Sequence, residues 1–157
     1  LEKQKMGAVS ALHSGRRVLG ASEKMNEIDK TNPTGRFVVH EHHSSRLHWD
    51  FRLEMDGVLK SWAVPKGIPE EEGVRRLAVQ VEDHDLEHLD FEGEIPEGQY
   101  GAGTVRIWDS GVYYLESRKP QKIVFTLAGA RLKGDYVLVH TKQDMWLIFK
   151  RKEKKRE

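Results

Sequence analysis

Apolar and polar positions alternate strictly from Leu47 to Glu54. Leu47, Trp49, Phe51 and Leu53 are apolar, and His48, Asp50, Arg52 and Glu54 stand between them. A period of two predicts a strand from about Arg46 to Met55 with one face turned to a core. Asp56-Gly57 then signals a hairpin, because a type I′ turn needs positive φ at both central positions. The return strand, Val58–Val64, carries Leu59 and Trp62 into the core and ends at Pro65-Lys66-Gly67. Upstream, Phe37–Glu41 begins another strand. Arg76–His84 alternates again, with Leu77, Val79 and Val81 on one face and Arg76, Gln80, Glu82 and His84 on the other. Gly93–Gly98 is a turn-rich connection. Further strands are expected over Thr104–Trp108 and Val112–Glu116, separated by a turn at Asp109-Ser110-Gly111, and over Lys122–Ala128, Asp135–Thr141 and Met145–Arg151. The last two are joined near Gln143-Asp144. Many short strands between Gly and Asp turns predict an all-β fold, a sandwich or a small barrel. Residues 1–35 are punctuated by Gly7, Ser14-Gly15, Gly20 and Asn32-Pro33, and predict a flexible N-terminal arm whose one helical turn spans Ser22–Asp29. The domain itself is expected over 36–151, followed by a basic tail over 152–157.

The polar side of the Leu47–Glu54 pattern has unusual chemistry. Same-face residues lie roughly 6.5–7 Å apart along a strand, so His48 and Asp50 can converge on one metal ion. Arg52, one step further, can hold an anion bound to it. His42 offers a third ligand from the other side of the Ser44-Ser45 bend. Three ligands leave open positions, which marks a catalytic rather than a structural metal site. Arg52 and the Arg76, Glu82 and His84 file beside such a metal suit phosphate, which guanidinium forks and ammonium charges recognise.

Composition narrows the setting. The chain has no cysteine, so a metal must be held by imidazole and carboxylate. Its 157 residues suffice for one domain, and 38% apolar against 32% charged residues fits a small core. Apolar runs are strand-sized and no signal segment opens the chain, so a cytoplasmic protein with no membrane partner is expected. The net charge of +1 does not announce nucleic acid, but the charge is unevenly placed. Glu82–Glu97 holds eight carboxylates and no Lys or Arg, while Lys150–Glu157 holds six basic residues against two acidic ones. A basic tail near a phosphate site would help to hold a polyanion.

The run from His42 through His48-Trp-Asp50-Phe-Arg52 to Val64-Pro-Lys66-Gly closely resembles the 3′-phosphoesterase domain of bacterial and archaeal DNA ligase D. Arg76-Leu-Ala-Val-Gln-Val-Glu82-Asp-His84 and Phe91-Glu-Gly-Glu-Ile-Pro-Glu-Gly-Gln-Tyr-Gly-Ala-Gly-Thr-Val resemble that family's next blocks, in order. The resemblance is dense over residues 36–110. It implies a small closed or partly closed antiparallel β-barrel and a manganese-dependent enzyme that trims 3′ primer ends in break repair. Such an enzyme removes a terminal 3′ ribonucleoside and then the 3′-phosphate, leaving a 3′-OH. By matching position, His42, His48 and Asp50 are the implied metal ligands. Arg52, Lys66, Arg76 and His84 fall where the family contacts the phosphate, with Glu82 a supporting carboxylate. The implied partners are a nucleic acid with a 3′ primer terminus and a ligase, polymerase or end-binding repair protein, met by a monomer. No ligase or polymerase motif follows, so the stand-alone form is expected. The chain departs from the family at Asp85-Leu86-Glu87-His88, where ligase D carries Pro-Leu-x-Tyr; His88 then stands where the terminal nucleoside would be contacted.

Two other readings fit parts of the sequence. His-x-Asp with a distant histidine, such as His140, is also the facial triad of non-haem Fe(II) oxygenases. A non-catalytic nucleic-acid-binding module would leave the histidines structural and use the basic tail.

Overall fold

In a computed structural model of the chain, residues 32–152 are described. The helical turn expected over Ser22–Asp29, the arm up to residue 31 and the tail from residue 153 lie outside them. Among the described residues nine strands form one sheet: β1 (Gly35–His43), β2 (Leu47–Met55), β3 (Val58–Val64), β4 (Arg75–His84), β5 (Gly93–Ile95), β6 (Gly103–Lys119), β7 (Lys122–Gly129), β8 (Lys133–Lys142) and β9 (Met145–Lys150). The order β1-β2-β3-β4-β9-β8-β7-β6 closes through an antiparallel β1–β6 pairing into an eight-stranded barrel. The short β5 adds to the first residues of β6. Closure removes sheet edges, which a domain of this size otherwise has to shield. The β2–β3 hairpin turns as expected, with positive φ at Asp56 (59°) and Gly57 (80°). No helix among the described residues is long and apolar enough to cross a membrane.

Phe37, Val39, Phe51, Leu53, Trp62, Phe125, Tyr136 and Ile148 fill the interior and are essentially unexposed. Leu59 is equally buried but belongs to a second, smaller cluster with Val38 and Leu89 on the outer wall. The expectation that Leu59 and Trp62 share one core fails because three steps along a strand reverse the face. Leu89 comes from a short 3-10 helix, Leu86–Asp90, that lies outside the barrel. The outer wall of β1–β3 is therefore covered in part, where Leu89 packs over Val38 and Leu59. Leu47 is 44% exposed and Leu77 42%, so neither joins the core that their alternation predicts.

The turn expected at Asp109-Ser110-Gly111 does not form, and β6 runs through it. Asp109 is buried, and its carboxylate accepts the backbone N–H groups of Ala130, Arg131 and Leu132 at 2.9, 3.1 and 2.8 Å. It caps the β7–β8 turn instead of making its own. Gly111 is needed because a Cβ there would run into the Ala128 carbonyl of β7. Asp109→Ala leaves one buried and two part-buried N–H donors without their shared acceptor. It is expected to lower the unfolding free energy by about 3 kcal/mol, read as a lower urea midpoint at unchanged slope. An unchanged midpoint would mean that water replaces the carboxylate at no cost.

Candidate active site

The Ser44-Ser45 bend sets β1 and β2 in a register that pairs His42 with His48 and His40 with Asp50. Period two then puts His40, His42, His48, Asp50 and Arg52 on the same outer face. One ligand atom each from His42, His48 and Asp50 lies within 4.8 Å of the others. His42 Nδ1 is 3.4 Å from Asp50 Oδ2, and His48 Nε2 is 3.3 Å from Asp50 Oδ1. The remaining ring nitrogens are occupied. His42 Nε2–H donates to the Gly101 carbonyl at 2.8 Å, and His48 Nδ1–H donates to the Arg46 carbonyl at 3.0 Å. A carbonyl can only accept, so these bonds fix both tautomers and turn the other nitrogen of each ring toward Asp50. Outer hydrogen bonds of this kind orient imidazole for a metal. The donor set fits a divalent metal, in size and in chemistry.

Asp50 is 6% exposed. Burial opposes its ionisation, but the His48 hydrogen bond and the charges of Arg52 and the histidines outweigh it and hold the carboxyl below its usual range. The same hydrogen bond raises the pKa of His48. A metal bound there would compete with a proton at His48.

Arg52, 4% exposed, is fixed by three neighbours. Its Nε–H donates to His40 Nδ1 at 3.1 Å, and Nη1 donates to Ser61 Oγ at 2.9 Å and reaches His84 Nδ1 at 3.1 Å. Nη2, free of these, is 3.3 Å from Asp50 Oδ2. The open end of the fork is thus beside the Asp50 carboxylate. His40 passes its other N–H to the Phe91 carbonyl at 3.0 Å. Burial first, and then Arg52, pushes its pKa down to about 3, so it stays a neutral acceptor.

His84 reaches this wall through a bulge. Leu59 pairs with His84 but Ser61 pairs with Val81, so β4 has one residue more than β3 across that interval. Counting alternation straight through β4 therefore misplaces its polar file. Gln80 turns inward, where it accepts from Trp146 Nε1 at 3.1 Å, and Glu82 is exposed with its carbonyl 3.1 Å from His84 Nδ1. Burial and Arg52 lower the pKa of His84. His88, on the 3-10 helix, packs its ring 4.8 Å from that of His84 and 5.1 Å from that of His40, and stacks on Phe91 at 5.0 Å. Burial, Arg52 and His84 bring its pKa down to about 4.

An open cavity of about 490 Å³ lies over this face. Of the sequence-derived residues, His42, His48, Asp50, Arg52, His84 and His88 line it, together with Tyr100 and Gly101 of the β5–β6 connection. Lys66, Arg76 and Glu82 do not. Arg76 lies on the core side, where Nη1 donates to the carbonyls of Lys66 (2.6 Å) and Gly67 (3.1 Å). Lys66 is exposed just beyond Val64, which pairs with Trp49 beside His48. His140 is far from this set in the barrel order, on β8, and donates to the Gln143 carbonyl at 2.7 Å. The sequence reading missed His40 and Ser61. Continuing the β1 alternation back two residues from His42 would have found His40. Ser61 and the Gly101 carbonyl have no such mark.

A family model described as the DNA Ligase D 3′-phosphoesterase domain matches residues 40–140. The chain is 47% identical over 148 residues to the multifunctional non-homologous end joining DNA repair protein LigD of Mycobacterium tuberculosis, covering 89% of this chain and 20% of that protein. It is 48% identical over 140 residues to the LigD of Mycolicibacterium smegmatis (82% and 18%) and 49% over 127 residues to that of Pseudomonas aeruginosa (75% and 15%). The chain thus spans a fifth or less of the length of these relatives.

Proposed function

The chain belongs to the DNA ligase D 3′-phosphoesterase family, and from that premise we propose that it is a metal-dependent phosphoesterase processing 3′ primer ends in non-homologous end joining. It removes a 3′ ribonucleoside as a phosphodiesterase, then the remaining 3′-phosphate as a phosphomonoesterase, and leaves a 3′-OH. The observation that carries this reading is the convergence of His42, His48 and Asp50 with the open end of the Arg52 fork beside them. The reading includes a monomer in the cytoplasm that works on nucleic acid alongside a ligase, a polymerase or an end-binding protein. Its test is release of inorganic phosphate from a primer–template bearing a 3′-phosphate, with Mn²⁺ supplied. No release under any divalent metal would end the proposal.

His42, His48 and Asp50 would hold Mn²⁺, which when bound polarises a phosphoryl oxygen as a Lewis acid. Arg52 places fixed positive charge where the phosphoryl oxygens gain charge, and His40 and Ser61 keep its fork from turning. His84 Nδ1 faces both Arg52 Nη1 and the Glu82 carbonyl, and in the tautomer in which Nδ1 accepts from Arg52 its Nε2–H is left to donate to a phosphate oxygen. Lys66 extends the positive surface toward the strand. Arg76 acts through it, as the guanidinium that fixes the Lys66–Gly67 backbone. Glu82 supports His84 through the chain segment that both share. Water is the nucleophile, since no serine or cysteine in the cavity is paired with a base.

His88 is placed to contact the terminal ribonucleoside. A neutral imidazole shares with tyrosine an aromatic face and a polar tip. His88→Ala is expected to slow ribonucleoside removal about tenfold, the loss of one stacking or hydrogen-bond contact, and to spare removal of a bare 3′-phosphate. His88→Tyr should restore most of the loss. Equal rates on both substrates in the alanine variant would assign His88 to the surface.

A further inference from the structure

Tyr100 is 80% exposed, far more than any other large apolar side chain among the described residues, yet it lines the same cavity as the candidate metal ligands. An aromatic ring left in water beside a binding site needs an explanation, because folding normally buries such surface. Its backbone is not loose relative to the site. Gln99 N–H bonds to the Pro96 carbonyl at 3.2 Å and Ala102 N–H to the Gln99 carbonyl at 3.1 Å, giving two successive turns. The next residue, Gly101, accepts the His42 Nε2–H bond. The ring is thus held one residue from a group that orients a metal ligand, while its faces stay uncovered.

The order of contacts along β1 fixes which part of a substrate it can meet. Leu89 packs over Val38, the His88 ring lies against His40, and Gly101 is bonded to His42. His88 therefore meets the row at its His40 end, while the backbone beside Tyr100 meets it at the His42 end, from which the phenol comes within electrostatic range of Arg52. The two ends differ in access. His88 is half-buried between His40, His84 and Phe91, which suits a single nucleoside with nothing beyond it. Tyr100 stands in solvent, where a primer strand can continue away from the enzyme.

We propose that Tyr100 is the stacking platform for the base of the nucleoside whose 3′ oxygen carries the scissile phosphate. This rests on the phosphoesterase reading above and adds the subsite for the retained strand. That nucleoside is present in both the diester and the monoester, so Tyr100 serves both steps, whereas His88 serves only the first. Stacking tolerates any base, as an end-processing enzyme requires.

The test compares the wild-type chain with Tyr100→Ala, Tyr100→Phe and Tyr100→Trp on a 3′-phosphate primer–template, and repeats it with an abasic 3′-terminal residue. Tyr100→Ala is expected to raise KM about tenfold or more, the loss of one base–aromatic stack, with a smaller change in kcat. Phe and Trp should keep KM near wild type. On the abasic primer the difference between wild type and Tyr100→Ala should shrink to within about twofold, because no base remains to stack. An unchanged KM on the ordinary primer, or an equal loss on the abasic one, overturns the inference; the latter would show that the substitution acts by shifting Gly101 and His42. Neither outcome touches the phosphoesterase reading, which fails only if the wild-type chain releases no phosphate.

Discussion

Asp50→Asn is expected to abolish both Mn²⁺ binding and phosphate release while the barrel stays folded. Asp50 is the residue both histidines share, with Oδ1 facing His48 Nε2 and Oδ2 facing His42 Nδ1. An amide removes the charge and turns one oxygen into an N–H₂ group. That group donates to the ring nitrogen that would otherwise bind the metal. Losing an outer hydrogen bond at a metal site already costs about 10–100-fold in affinity, so losing the ligand should cost more, and turnover should fall by more than about a thousandfold. Asparagine is preferred to alanine because Asp50 is buried beside Arg52, and a truncation would leave a cavity and take from Arg52 Nη2 the carboxylate it faces. His42→Ala and His48→Ala should act in the same direction. Near-normal Mn²⁺ affinity by calorimetry, or near-normal turnover, in any of the three would remove that residue from the ligand set. Mn²⁺ should serve better than Mg²⁺, since imidazole suits the former and the latter favours oxygen ligands and its own waters.

Arg52→Lys should lose roughly 3–4 kcal/mol of transition-state stabilisation, a hundred- to thousandfold in kcat, although the charge is kept. The arginine side chain meets His40 through Nε, Ser61 and His84 through Nη1, and Asp50 through Nη2. A lysine has one nitrogen and cannot make these contacts together. It would leave the buried His40 Nδ1 without its donor and free the charge to swing away from the phosphate. His40→Ala gives a graded control: it frees one side of the fork but keeps its charge, so it should cost less than Arg52→Lys. Full activity in the lysine variant would show that Arg52 only sets the local field.

The sequence carried the chemistry of the centre wherever the alternation of β2 is regular. His48, Asp50 and Arg52 share a face because a strand has no other choice, and the Asp56-Gly57 turn fixes the hairpin. The absence of cysteine limited the ligands to imidazole and carboxylate. The all-β class followed from the number and length of the alternating runs.

Other features were decided by contacts between segments far apart in the chain. Barrel closure depends on β1 meeting β6, and nothing local to either strand records that pairing. The bulge that swings His84 outward exists only in the register of β3 against β4, so the β4 pattern read alone put Gln80, Glu82 and His84 together. Asp109-Ser110-Gly111 has the composition of a turn, but its carboxylate and its missing Cβ serve β7 and the turn after it. The tautomers of His42 and His48 depend on the carbonyls of Gly101 and Arg46, which any residue type would supply. Local sequence therefore determined which groups could bind a metal and a phosphate. Only the tertiary structure decided which of them converge, because backbone acceptors and the register of strands not joined by a tight turn leave no trace in residue identity.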